Sequence, residues 1–262
     1  LKGEKYSLNS IDKILKEIDK IVLNEQFEFL KSSVQEEIKD NLINLTFNIG
    51  ESEKFYVEKI NIFGNNITRE EVIRNNLLID EGDAFNELLQ AKTLNNLKAL
   101  NFFSKVDSEI IDVTDLNKKI INITVEEKPT GEIMAGAGVG TSGGTVAFGV
   151  SENNFLGRGI EFSSDISFGG ESLKGSISVN NPNYKGSNRS LNVSLESTIT
   201  DRLKDFGYES NKTGFSLGSG FEYFDNLYLS IGTSSYVEKL TTDSTASASL
   251  KKQKGSYFDT FF

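Results

Sequence analysis

The sequence predicts two kinds of structure in one chain: compact α+β modules as far as Pro129, then antiparallel β-structure. Three observations predict them. Residues 1–130 hold 4 of the 23 glycines and residues 131–262 hold the other 19. Charged side chains fall from 41 to 25 across the same boundary. Helical periodicity stops there too, and alternation of apolar and polar residues replaces it.

Composition narrows the function classes. At 262 residues, with 37% hydrophobic and 10% aromatic content, the chain can hold two or more packed domains. No stretch approaches the ~20 consecutive apolar residues of a transmembrane helix, which leaves a membrane β-barrel open. The absence of cysteine excludes disulfides and thiol chemistry; the absence of histidine removes the commonest metal ligand and general base. Carboxylates alone can serve an enzyme, but no pair of them flanks a credible site, so no catalytic residue, metal or cofactor is expected. A net charge of −10 argues against a nucleic-acid partner, and the acids read as a solubility device. The chain starts at Leu1 with no signal peptide, and its start is expected to be processed or cut.

Taken in order, Ile11, Ile14, Leu15, Ile18, Ile21 and Val22 recur at helical spacing over residues 10–22, with charged residues between them. Extended stretches follow at Phe27–Gln35 and Leu42–Ile49, the second alternating Leu45, Phe47 and Ile49 with Asn44, Thr46 and Asn48. A new strand is predicted at Tyr56–Phe63 and ends on the Gly64-Asn65 turn. Thr68 and Glu71 have capping-box spacing at the start of a helix through Val72, Ile73 and Leu77. Glu81-Gly82-Asp83 breaks the chain, and Asp83 or Asn86 can cap a second helix with Leu88, Ala91, Leu94, Leu97 and Leu100 on its apolar side. Strands at Lys105–Asp112 and Lys119–Glu126 complete a β-α-α-β-β order, with Ile121, Ile123 and Val125 on one face.

Beyond Pro129, strands are expected near Ile133–Gly140, Thr145–Glu152, Ile160–Phe168, Leu173–Asn180, Leu191–Glu196, Lys212–Phe221 and Asn226–Thr233, with another starting at Ser256. Strands of roughly 8–11 residues with one apolar face suit a transmembrane barrel. A soluble β-sandwich shows the same alternation, and the pattern alone leaves both open.

Two segments carry a resemblance. YVEKINIFGNNITREEVIRNNLLIDEGDAF, with LKALNFFSKVDSEI after it, resembles a POTRA domain, the repeat that precedes the barrel in the outer-membrane protein-insertase superfamily, BamA and its relatives. GAGVGTSGGTVAFGVSENNFLGRGIEF and the Asn180-Asn181-Pro182-Asn183-Tyr184 turn are similar to the opening hairpins of that family's barrel, with Asn154–Gly159 as a periplasmic turn. The resemblance implies α+β POTRA modules followed by an antiparallel transmembrane β-barrel. Residues 1–53 would be the C-terminal part of one POTRA, 54–128 a complete one, and 129–262 the first half of the barrel, about seven or eight strands. An open barrel edge would leave unpaired backbone groups in lipid, so truncation at both ends is expected. The alternative is a complete small barrel closed by the aromatic run Tyr257–Phe262.

The same resemblance implies a function without covalent chemistry: folding and insertion of β-barrel proteins into the bacterial outer membrane, with the POTRA domains in the periplasm. POTRA edges would pair with extended chains by β-augmentation. The first barrel strand, with Ile133, Ala135, Gly136, Gly138, Val139 and Gly140, would be a lateral gate, since glycine weakens strand pairing. Its glycines could instead serve curvature or close packing inside the barrel. Arg74 and Glu81 occupy positions implied to contact an accessory lipoprotein; their plain reading is a solvated surface. The implied partners are unfolded outer-membrane proteins, accessory lipoproteins, periplasmic chaperones and outer-membrane lipid. A related pore that exports a passenger protein is the alternative function, and a porin or adhesin with a periplasmic module is a third. Tyr184, Tyr223, Phe224, Tyr228 and Tyr257 are candidate interfacial aromatics, and Lys251-Lys252-Gln253-Lys254 reads as a solvated loop tip.

Overall fold

The computed structural model describes residues 6–24, 30–39, 42–51, 54–113, 117–140, 143–224 and 227–262. Two expected strand starts, residues 27–29 and Asn226, lie outside these. The chain divides into two compact units, one of residues 1–64 and 76–126, the other of residues 65–75 and 127–262.

In the first unit, α1 (Leu8–Asn24) forms where helical spacing predicts it and buries Ile11, while the side chains of Ile21 and Val22 lie outside those described. The Tyr6 hydroxyl, just ahead of it, donates to Glu36 at 2.7 Å. Glu36 sits in β1 (Leu30–Lys39), which forms an antiparallel hairpin with β2 (Leu42–Glu51). β3 (Tyr56–Phe63), β4 (Phe103–Val113) and β5 (Lys118–Glu127) make a three-stranded sheet in the order β3-β5-β4, with β3 and β5 parallel. Val57 and Ile60 are both buried although they are three residues apart, because the register shifts between Val57 and Lys59. Ile121, Ile123 and Val125 are buried on one face of β5, as their alternation predicts. Gly64 turns the chain at φ +89°, and a Cβ there would lie 2.0 Å from the Val125 carbonyl oxygen, so no other residue fits.

Two local expectations are corrected. The helix after the turn, α2 (Glu70–Arg74), is a short one that stops before Leu77, and Thr68 does not cap it. Thr68 is held elsewhere, by Glu127 and Asn154. The next helix, α3 (Glu87–Ala99), starts as foreseen on Asn86, whose side chain accepts from the Leu88 and Leu89 amides. Of its expected apolar side Leu97 is buried and Leu88, Leu94 and Leu100 are half-buried, but Ala91 is exposed and Gln90 and Thr93 are buried instead. Thr93 turns inward because its hydroxyl accepts the Leu78 amide at 3.0 Å.

The second unit is an up-and-down antiparallel sheet of eight strands. These are β6 (Gly131–Gly140), β7 (Gly143–Phe155), β8 (Ile160–Gly169), β9 (Ser172–Asn181), β10 (Arg189–Arg202), β11 (Tyr208–Phe224), β12 (Leu227–Thr242) and β13 (Gly255–Phe261). A 3₁₀ turn at Tyr184–Gly186 and two short helices, α4 (Leu203–Phe206) and α5 (Ala248–Lys252), sit in the connections. Several strands outrun the expected length: β10, β11 and β12 have 14, 17 and 16 residues, beyond the ~9–11 that cross a bilayer. The connections after β7, β9 and β11 lie at the end of the sheet where β6 starts; those after β6, β8, β10 and β12 lie at the other.

Register keeps the two faces apart across the sheet. Ile133, Val150, Ser164, Ile177, Leu195 and Phe215 fall in one row, and its neighbours include Phe148, Ile166, Val179 and Val193. The opposite face carries a row of serines, Ser151, Ser163, Ser178, Ser194, Ser216 and Ser234, one per strand from β7 to β12. Hydroxyls bridge Ser163 to Ser178 at 2.8 Å and Ser194 to Ser216 at 2.6 Å. Among the described residues nothing covers the apolar face: Ile133 is 86% exposed, Val139 93%, Leu195 56% and Ile231 73%. A sandwich would bury this face against a second sheet; a wall facing lipid leaves it bare.

Candidate functional site

Three regions could carry function, and none resembles a catalytic centre. Among the described residues no group of three carboxylates could hold a metal ion.

The first region is β6. It lies at one edge of the sheet and pairs only with β7 among the described residues, from Gly131 opposite Glu152 to Gly140 opposite Gly143. Ile133, Ala135 and Val139 stand on the apolar face; Gly136, Gly138 and Gly140 stand on the other. A Cβ on any of these three glycines would meet nothing within 4 Å. Among the described residues, close packing therefore does not account for them. Their neighbours Ala147, Thr145 and Gly143 are also small, so this stretch has almost no cross-strand side-chain contact. The strand's beginning is different. Thr130 donates its hydroxyl to Glu152, whose carboxylate also accepts the Asn154 amide at 2.8 Å. β6 is thus clamped at its start and bare toward Gly140.

The second region is the pair of partner candidates. Arg74, at the end of α2, pairs with Glu70 at 2.7 Å on an exposed surface. Glu81 accepts the Ile60 amide at 3.0 Å, so its carboxylate supports the β3 backbone while remaining exposed.

Sequence reasoning missed the third region, which surrounds the Asn154–Gly159 turn. The Glu127 carboxylate accepts the amides of Asn66, Ile67 and Thr68 at 2.9, 2.8 and 2.6 Å. Burial pushes this carboxyl up, but the Thr68 amide and hydroxyl and the Ile67 and Asn66 amides outweigh it. The net result lies below the usual carboxylate range. Thr68 is buried, and its hydroxyl accepts from Asn154 Nδ2 at 2.8 Å while Asn154 Oδ1 accepts the Gly159 amide at 2.7 Å. Arg69 donates its amide to the Gly157 carbonyl at 2.8 Å. Gly157 has φ +68°, and a Cβ there would sit 1.9 Å from the Ile67 oxygen. The Asn-x-x-Gly-x-Gly spacing signalled a turn; nothing local signalled its partners.

The candidate aromatics separate by end. Tyr184, Tyr223, Phe224 and Tyr228 lie at the end where β6 starts, with the Tyr223 and Phe224 rings 4.5 Å apart edge-on. Tyr257 lies at the opposite end, as does the Lys251–Lys254 cluster around α5.

Comparison with known proteins places these features. Residues 55–128 match the POTRA family, described as the surface antigen variable number repeat, and residues 154–262 match the Omp85 superfamily domain. The outer membrane protein assembly factor BamA of Buchnera aphidicola is 29% identical over 245 residues, covering 86% of this chain and 39% of that protein. BamA of Nitratidesulfovibrio vulgaris is 28% identical over 160 residues, covering 60% and 20%. The chain thus spans between a fifth and two fifths of the length of these curated relatives. The crystal structure of BamA from Haemophilus ducreyi lacking POTRA domains 1–3 superposes with a TM-score of 0.74 at 21% identity. That match covers 92% of this chain and 46% of the other.

Proposed function

Starting from a chain that belongs to the Omp85 superfamily, with a POTRA repeat ahead of its barrel strands, we propose that it is part of an assembly factor. That factor folds and inserts β-barrel proteins into the outer membrane. The strands lie in the bacterial outer membrane and the POTRA repeat in the periplasm. The end of the sheet where β6 starts therefore faces the periplasm. Residues 1–53 are taken as the end of a preceding POTRA, 54–128 as a complete one, and 129–262 as the first half of the barrel.

One observation carries the reading: β6 is clamped at its periplasmic start and almost without side-chain contacts toward Gly140. A strand of that kind separates from its neighbours at low cost. It is suited to a seam that opens sideways so that an incoming strand can pair with its edge. Unfolded outer-membrane proteins are then the substrates. Arg74 and Glu81 are candidate contacts for an accessory lipoprotein, periplasmic chaperones would deliver clients, and the surrounding lipid receives the product. No step requires covalent chemistry.

The test is depletion of the full-length protein in its source cell. A broad loss of porins from the outer membrane, with unfolded forms accumulating in the periplasm, is the expected result. Normal porin levels with loss of one secreted passenger would assign the chain to an exporting pore instead. A likeness to CdiB from Acinetobacter baumannii, with a TM-score of 0.50 at 16% identity, concerns the fold alone and does not choose between the two readings.

A further inference from the structure

Within the second unit, the 65–75 segment and the periplasmic turns after β7 and β9 enclose a cleft of about 460 Å³. That volume falls in the range of small-molecule sites. Three cations line it: Arg69, Arg158 and Lys185. None of them forms an ion pair among the described residues; Lys185 only lies 5.4 Å from the centre of the Tyr184 ring. One acid, Glu71, shares the lining. In a chain of net charge −10, this local excess of positive charge is an exception. A second observation points to a polar ligand. Asn183 also lines the cleft, and its side-chain oxygen is buried without a hydrogen-bond partner. An amide there can offer its oxygen to an ammonium or hydroxyl group or, turned over, its NH₂ to a phosphate.

Position narrows the ligand. Ile160 and Asn181 form part of the lining, and register puts both on the lipid-facing side: Ile160 alternates with Phe162 and Ile166, and Asn181 is opposite Leu191. Both residues are at the periplasmic ends of their strands. The cleft therefore joins a cationic pocket to the apolar wall at the depth where headgroups of the inner leaflet lie. Free phosphate needs only the cations; a phospholipid also uses the apolar flank.

We propose that this cleft binds the phosphate-bearing headgroup of an anionic phospholipid from the periplasm-facing leaflet. Arg69 and Arg158 hold the phosphate oxygens through paired N–H donors, and Lys185 adds a point charge. Asn183 accepts from a hydroxyl of the headgroup. The acyl chains run along the face that carries Phe162 and Val179. The inference rests on outer-membrane placement and not on the assembly reading, so either can fail alone.

The test uses the full-length protein in detergent, titrated with phosphatidylglycerol or phosphatidylcholine and read by native mass spectrometry. Wild-type protein should retain phosphatidylglycerol in preference to phosphatidylcholine. The double variant Arg158→Gln/Lys185→Gln should bind phosphatidylglycerol at least about tenfold more weakly. Arg158→Lys/Lys185→Arg, which keeps both charges, should recover most of that loss. Heat-modifiable gel mobility confirms that each variant barrel is folded. Equal phosphatidylglycerol affinity in folded wild-type and Gln-variant protein would overturn the proposal. Displacement of the lipid by equimolar inorganic phosphate would overturn the lipid assignment and leave a free-phosphate site.

Discussion

At the scale of residues, Glu127 and Asn154 hold the loop at 66–68 against the turn at 154–159. Three amides converge on one carboxylate, and replacing Glu127 with Gln keeps the shape but removes the charge. We expect Glu127→Gln to weaken this loop by about 1 kcal/mol, the value of a partly solvated charge-assisted hydrogen bond. Hydrogen exchange should show the loss at the amides of Asn66, Ile67 and Thr68 rather than globally. The sign of the pH dependence follows from the carboxyl's lowered folded value. Its contribution is fully present above the unfolded pKa of ~4.3 and disappears as pH falls through the folded one. Protection of these amides should therefore drop in acid for the wild type and stay flat for Glu127→Gln; equal acid sensitivity would remove Glu127 from the account. These contacts also show why Thr68 was misread. Its spacing to Glu71 matches a capping box, but its actual partners are 59 and 86 residues away in sequence. No local pattern encodes such a pairing.

At the scale of elements, glycines that look alike in sequence divide by what surrounds them. Gly157 is fixed by positive φ and by the Ile67 oxygen, so Gly157→Ala should destabilise the folded barrel by more than about 1 kcal/mol. Gly136 and Gly138 face open space, and Gly136→Thr/Gly138→Thr should be accommodated and should strengthen β6 pairing by a few tenths of a kcal/mol per site. If a weak β6 serves the function, this variant folds with undiminished heat resistance yet inserts outer-membrane proteins more slowly in a reconstituted assay. Full activity in a more stable protein would separate β6 from the mechanism. Alternation made the strands of the sheet legible in the sequence, together with the common face of Gly136, Gly138 and Gly140. It did not reveal the lengths of β10 to β12, because alternation lapses in their extensions, as at Ser234-Ser235 and Glu238-Lys239 of β12. Nor did it reveal the serine row, which exists only once five registers are fixed. On α3 the leucine spacing found Leu97 but not Thr93, whose hydroxyl accepts the distant Leu78 amide.

At the scale of the whole chain, the decisive property is an apolar sheet face that nothing in the described residues covers. Large bare apolar surface on a protein in water drives association, and placement in the outer membrane supplies lipid to cover this one. β9 offers a controlled comparison, because adjacent residues in mid-strand point to opposite sides. Ile177 is on the apolar face in register with Ser164 and Leu195; Ser176 is on the polar face between Asp165 and Glu196. An arginine at position 177 must bring its charge into hydrocarbon, at a cost of about 2–4 kcal/mol near the bilayer midplane. An arginine at position 176 enters a polar interior between two carboxylates and should be close to neutral. Denaturant unfolding of the full-length protein in phospholipid vesicles would measure both. Ile177→Arg unfolding well below Ser176→Arg is the outcome expected of a lipid-facing wall. Equal midpoints would mean that the uncovered face meets water or protein in the complete molecule, and the membrane assignment of this sheet would have to be withdrawn.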